Sequence, residues 1–334
     1  MGAQGNGGIG WCDFTFNPWV GCLKVSPACA HCYAESLDHR WGNDRWGADK
    51  QRGVTSESHW QQPRAWNRKA QRDVKRYRVF CGSMCDVMED RPDLYAVRER
   101  LFRLIGDTRN IDWLLLTKRP DNFARFLPWG DNTRMFGAAS GPWPNVWLGT
   151  TVENQEYADK RIPHLLSTPA AVRFVSYEPA LGPINFDEFM WLYDESGRTR
   201  RRMPLGGWDC PQPLGWVIAG GESGPGARPS HLDWFRSARD QCAAAGTPFY
   251  FKQHGEWVAL PVNQIPVDGG DFKLVSIDER KPFSSGFFNQ SHALHSMLTN
   301  PFYGWQLPVV KVGKKAAGRL LDGVEHSEFP EVSE

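Results

Sequence analysis

The stretch IDWLLLTKRP, residues 111–120, is apolar at successive positions from Trp113 to Leu116 and then turns abruptly to Thr117, Lys118 and Arg119. An unbroken apolar run of strand length fits a strand buried on both faces, which is the condition of a parallel sheet covered by helices. The same pattern recurs along the chain in YRVFCGSMCD (77–86), NVWLGTTVEN (145–154), AVRFVSYEPA (171–180), GWVIAGGESG (215–224) and TPFYFKQHG (247–255), and a further short strand is expected near residues 11–16. Helical patterns stand between several of these runs. DLYAVRERLFRLIGD follows the first, and LDWFRSARDQCAAAG (232–246) closes on a glycine stop signal. Strand–helix alternation implies right-handed crossovers, so the expected fold is α/β: a partial parallel (β/α) barrel of six or seven strands.

In such folds the active face lies at the carboxyl ends of the strands. Here those ends read SMCD, TKR, TVEN, SYEP, GGES and KQH. They are richer in Lys, Arg, Glu and His than ordinary turns, which favour Gly, Pro, Asn, Asp and Ser. Residues 128–144 and 187–214 interrupt the rhythm as insertions. After about residue 255 the alternation gives way to short β-like pieces, FKLVSI and PVVKVGKK. The expected organisation is a barrel over 11–255 and an extension over 256–334 packed on it.

The chain has 334 residues, 41% hydrophobic and 13% aromatic, enough for a large core. No apolar run reaches the roughly 20 residues of a membrane span, so no membrane partner is expected. The first residues carry neither a basic start nor an apolar core, so no secretory signal is expected and the expected location is cytoplasmic. Net charge is +1, but PRAWNRKAQRDVKRYR (63–78) holds seven basic residues against Asp73, and GRTRRRM (197–203) adds four arginines. Read as a helix after Pro63, the first of these puts Arg64, Arg68, Arg72 and Lys75 on one face with Trp66 and Tyr77 interleaved. That is a candidate surface for nucleic acid or a nucleotide.

Eight cysteines are too few for a disulfide scaffold in a chain of this length. Three of them, Cys22, Cys29 and Cys32, crowd into GCLKVSPACAHCYAES (21–36). A zinc site completed by Cys12 or His31, a redox pair of Cys29 and Cys32, and a [4Fe–4S] cluster with one iron left open are the readings this spacing allows. Cys81, Cys210 and Cys242 read as buried hydrophobes. Cys85, at a strand end, is a candidate hydrogen donor to a product radical, against the same plain reading as a small hydrophobe.

A three-cysteine loop after the first strand of a partial barrel resembles the radical S-adenosylmethionine (SAM) superfamily. The usual spacing there is C-x(3)-C-x(2)-C with an aromatic before the last cysteine. Here the first gap is six, and the aromatic, Tyr33, follows the last cysteine. The ordered set FNPWVGCLKVSPACAHCYAE, LLLTKRP, NVWLGTTVEN, FVSYEPALGPI, WVIAGGESGPGARP, PFYFKQHGEW and GKKAAGRLLDG is similar, over residues 11–330, to a phage-associated branch of uncharacterised proteins grouped near that superfamily. Its likeness to spore photoproduct lyase is distant. The resemblance implies a [4Fe–4S] cluster on Cys22, Cys29 and Cys32, S-adenosylmethionine as cofactor, an electron donor such as flavodoxin or ferredoxin, and residence in the host cytoplasm. Ser83 and Asp86 fall where the superfamily meets the methionine amine. Gly220, Gly221, Glu222 and Ser223 are expected to line the adenosine. Tyr33, Lys118, Glu153, Ser176 and Glu178 complete the expected cofactor contacts. The reaction is left open between a radical enzyme on nucleic acid or a nucleotide, one on a protein or metabolite, and a non-catalytic metal-binding protein of phage–host interaction.

Overall fold

A computed structural model of the chain describes residues 9–129, 141–191, 213–259, 272–276 and 306–331. Cys210, the arginines of 197–203 and most of both expected insertions lie outside the described residues. Seven strands form one parallel sheet: β1 (Phe14–Phe16), β4 (Tyr77–Cys81), β5 (Ile111–Thr117), β6 (Val146–Thr151), β7 (Val172–Tyr177), β8 (Trp216–Gly220) and β9 (Phe249–Gln253), in that spatial order. The sheet curls into a half-barrel, as the apolar runs predict. A small antiparallel pair, β2 (Trp19–Val20) and β3 (Gly53–Val54), flanks its first edge.

Both faces of the sheet are buried, which is why the strands read as continuous apolar runs. The outer face (Val79, Cys81, Trp113, Leu115, Leu148, Val175, Val217) shares one core with the crossover helices α2 (Glu57–Asp73), α3 (Tyr95–Asp107), α5 (Gln155–Leu166) and α7 (Leu232–Ala245). The inner face (Phe80, Leu114, Trp147, Phe174, Trp216, Ile218, Tyr250) forms a second, largely aromatic core. Gly149 belongs to this inner layer. A Cβ there would lie 2.3 Å from the Phe174 ring, so the glycine of NVWLGTT makes room for an aromatic from the next strand. Side-chain capping fixes the helix starts: Ser56 accepts from the His59 N–H and Asn154 from the Tyr157 N–H. Helix α7 stops at Gly246 in the left-handed region (φ 62°), as its glycine signal predicts.

The extension packs on the barrel where it is described. β10 (Trp257–Ala259), β11 (Phe272–Ser276) and β12 (Gln306–Lys311) form an antiparallel sheet in the order β10-β12-β11. A terminal strap then returns along the edge strand β9: the Phe251 N–H donates to the His326 carbonyl, and the Phe249 N–H to the Glu328 carboxylate. The indole N–H of Trp216 reaches the Glu328 carbonyl at 2.9 Å. Among the described residues no helix is long and apolar enough to cross a membrane.

Candidate functional site

Parallel pairing brings the polar strand endings to one edge of the half-barrel: Asn17 after β1, Gly82–Asp86 after β4, Lys118 and Arg119 after β5, Glu153 beyond β6, Glu178 after β7, Gly221 and Glu222 after β8, and His254 after β9. The three-cysteine loop lies over this edge and is tied to several of its members. It begins at Gly21, whose N–H donates to the Met84 carbonyl and whose φ of 114° puts it where side chains are strained. A Cβ at Gly21 would meet the Arg45 carbonyl at 2.5 Å. The Arg119 guanidinium crosses to the loop, with Nη2 donating to the Leu23 carbonyl at 2.7 Å and Nη1 lying 3.7 Å from Cys22 Sγ. The Ala28 N–H, in the short 3-10 turn Pro27–Cys29, donates to Glu153 Oε1 at 3.2 Å. Cys32 then stands at the N-cap position of α1 (Tyr33–Arg40), without a side-chain capping bond, and the Tyr33 hydroxyl donates to the Ser83 carbonyl at 2.6 Å. His31 packs against Gly226, beyond β8.

The three thiols are free and partly exposed. Cys22 and Cys32 pack beside Trp46 and Met84, and the Cys29 sulfur lies 3.9 Å from Ser26 Oγ. Burial pushes the Cys22 thiol up to about 12; Asp86 adds to the rise, while Arg119 opposes it. Among the described residues no group of three or more His, Cys, Asp or Glu side chains is arranged to hold a metal ion.

A family model, protein of unknown function (DUF5131), matches residues 6–330. The chain belongs to the DUF5131 family. No curated protein and no solved structure matches it.

In this member of the family the acidic strand-end residues divide into two kinds. Asp86, Glu153 and Glu222 are clamps. Asp86 accepts from Thr117 Oγ1 (2.6 Å), the Lys118 and Met88 N–H groups (3.0 Å each) and Arg119 Nη1 (2.8 Å). Burial alone would raise its pKa, but the Arg119 charge and these donors hold it below the usual carboxylate value. Glu153 is fully buried and bridges Ala28 to Arg161 Nη1 (2.8 Å). Glu222 holds the Arg228 N–H and guanidinium. Glu178 is different. It is partly exposed, follows a strand whose Ser176 faces the inner layer, and pairs with Lys252 at 2.5 Å. The Tyr33 phenol is within electrostatic reach of Cys32, Glu178 and Cys85.

Several expectations need correction. At Gly221 of AGGESG a Cβ would lie 1.9 Å from the His254 carbonyl, so the missing side chain makes room for the neighbouring loop. Gly220 sits against Gln253 and Glu178, and Ser223 is half-buried beside Glu222. The basic helix starts before Pro63, because Ser56 caps it, and it ends before Lys75, because Val74 takes the left-handed conformation (φ 48°). Lys75 therefore falls off the stripe. Arg64 pairs with Asp107 (3.0 Å) and Arg72 with Asp73 (3.2 Å). Trp66 is no stacking platform, since it stacks on Phe14 with centroids 4.5 Å apart. Arg68 stays exposed.

Asn17 and Arg119 are residues of this candidate site that pattern reading does not single out. Asn17 Oδ1 accepts the Met84 N–H at 2.8 Å and lies 3.9 Å from Cys85 Sγ, while Nδ2 donates to Ser83 Oγ at 3.0 Å. One side chain thus sets the whole GSMCD turn. Its signal was present in FNPW, an asparagine directly after a strand. Cys85 is partly buried at this turn, and burial keeps its thiol well above its ordinary pKa, hence protonated.

Proposed function

We propose that this protein is an iron–sulfur radical SAM enzyme, with Cys22, Cys29 and Cys32 holding a [4Fe–4S] cluster. The observation that supports this most is the placement of the loop: three free thiols are tied by Arg119, Glu153 and Gly21 over the carboxyl edge of a parallel half-barrel. The donor set fits the group, since thiolates are the soft ligands that iron–sulfur clusters take, and three of them leave one iron open to a small molecule. When bound, the cluster supplies the electron that cleaves S-adenosylmethionine to a 5′-deoxyadenosyl radical. The chain's own part is to position and exclude. Ser83, Ser176 and the Glu178–Lys252 pair offer polar groups to the cofactor on the inner side of the edge, and the aromatic inner core beneath them keeps water out. Asp86, Glu153 and Glu222 support this surface from behind. Cys85, protonated next to Tyr33, is placed to return a hydrogen atom. The substrate class we favour is a nucleic acid or nucleotide, with reduction by a flavodoxin- or ferredoxin-type donor.

The test is anaerobic purification followed by iron and sulfide analysis and a SAM-cleavage assay with chemical reductant. The expected result is a brown protein with four iron and four sulfide that forms 5′-deoxyadenosine. Alanine at Cys22, Cys29 and Cys32 should abolish both, and Cys85→Ala should leave cleavage intact. A colourless protein with stoichiometric zinc would instead favour the non-catalytic metal-binding reading.

A further inference from the structure

Beside the cysteine loop, between the end of β5 and the exposed side of α5, lies a cleft of about 490 Å³ lined by Val25, Lys118, Arg119, Tyr157, Lys160, Arg161 and His164, with Asp121 as the one acid in its wall. The volume suits a small ligand rather than a water cluster. Its donors are unevenly used. Arg119 is committed to Asp86 and the loop, and Lys160 pairs with Glu156 at 2.5 Å. Lys118 and His164 have no side-chain hydrogen-bond partner among the described residues. Arg161 is 5% exposed, yet only its Nη1 is hydrogen-bonded, to Glu153 and to the Thr151 carbonyl. Its side chain lines the cleft, with the Tyr157 ring centroid 4.4 Å from Cζ. A guanidinium with donors not used inside the fold can meet an anion that enters the cleft. Planar guanidinium and a nearby ammonium together match phosphate geometry.

We propose that this cleft binds a phosphate group, held by Arg161, Lys118 and His164, and that it anchors the substrate next to the cysteine loop. The anchoring role rests on the reading of that loop as the reaction centre; phosphate binding itself does not. Carbon and phosphorus chemistry at the phosphate is not involved, only recognition. The ligand class is a phosphate ester, either a free phosphorylated metabolite or nucleotide, or the backbone of a nucleic acid.

The test titrates the purified protein, in low salt, with inorganic pyrophosphate and with a short single-stranded DNA lacking terminal phosphates. Pyrophosphate should bind, and the double variant Lys118→Ala/His164→Ala should weaken it about tenfold or more, the scale of a lost charge-assisted hydrogen bond. Charge reversal by Lys118→Glu should weaken it further. Neither side chain holds other groups in place, so thermal melting should match wild type. Arg68→Ala, on the far helix α2, should leave binding unchanged. If DNA binds and pyrophosphate displaces it, the source is a nucleic-acid backbone; if only pyrophosphate binds, it is a free phosphorylated molecule. Absence of pyrophosphate binding, or full binding by the double variant, overturns the site. A protein that cleaves S-adenosylmethionine but fails this titration would keep the proposed function and lose the cleft. One that binds phosphate through these residues but holds no cluster would do the reverse.

Discussion

Glu153 shows how one buried carboxylate carries both fold and site. Its two oxygens join the cysteine loop at Ala28 to Arg161, which also lines the cleft proposed to bind phosphate. Neither partner is solvated, so removing the carboxylate strands a buried cation and an orphaned N–H. Glu153→Ala should cost about 3–5 kcal/mol of stability, the range for breaking one side of a buried ion pair. It should also speed alkylation of Cys29, one residue beyond the freed N–H. Chemical denaturation and thiol-labelling rates measure the two effects. A stable variant with an unchanged loop, altered only in cofactor affinity, would return Glu153 to the cofactor contacts expected from its place at a strand end. The sequence shows Glu153 and Glu178 as equivalent acids after strands. Only the structure separates them, because Arg161 lies two helical turns along α5 and Lys252 two strands away, and pairing at such distance leaves no local pattern.

At the scale of elements, the strands were legible because burial on both faces makes a two-sided apolar run. The edge they build was legible because parallel strands all end on the same side. The basic stripe of α2 misled for a related reason. Periodicity reports which residues share a face, but not which charges those residues already meet, here Asp107 on α3 and Asp73 on the helix itself. The terminal strap is a second element held by charge. Asp322 takes Arg236 Nη2 at 2.5 Å and Arg239 Nη1 at 2.7 Å, both from α7, and Arg236 also meets Asp233. Hydrogen bonds from these arginines lower its pKa from 3.8 to about 2. A depressed carboxylate pKa stabilises the fold above the unfolded value and loses that contribution as pH falls through the folded one. The strap should therefore loosen between pH 3.8 and about 2. Asp322→Asn keeps the left-handed backbone that Asn tolerates (φ 54°) and removes the charge. Hydrogen exchange at residues 321–328 should be faster in the variant at neutral pH and should lose its pH dependence in that window. Unaltered exchange would mean that the strap is held by β9 pairing alone.

At the scale of the whole molecule, a half-barrel has a seam, since β1 and β9 do not pair. Aromatic side chains from near both ends of the described chain fill it. Trp11 lies 4.6 Å from Phe80 and 6.2 Å, edge-on, from Trp216, and Phe329 lies 5.3 Å from Trp216 with Arg78 3.6 Å over its ring. The inner aromatic layer is thus closed by Trp11, at the start of the stretch expected as a strand near 11–16, and by Phe329, a single ring between Glu328 and Pro330 that sequence periodicity does not mark as core. Phe329 is only half-buried, so Phe329→Ala should cost less than a full core deletion, about 1–3 kcal/mol where complete burial gives roughly 3–5. The same change opens the inner layer at Trp216, so its fluorescence should shift to the red and become quenchable by iodide while the outer, helix-covered core stays native by circular dichroism. Loss of helix and fluorescence in one transition, with no separate opening, would show that the seam and the helical layer form a single cooperative unit and that the strap does not act as a local seal.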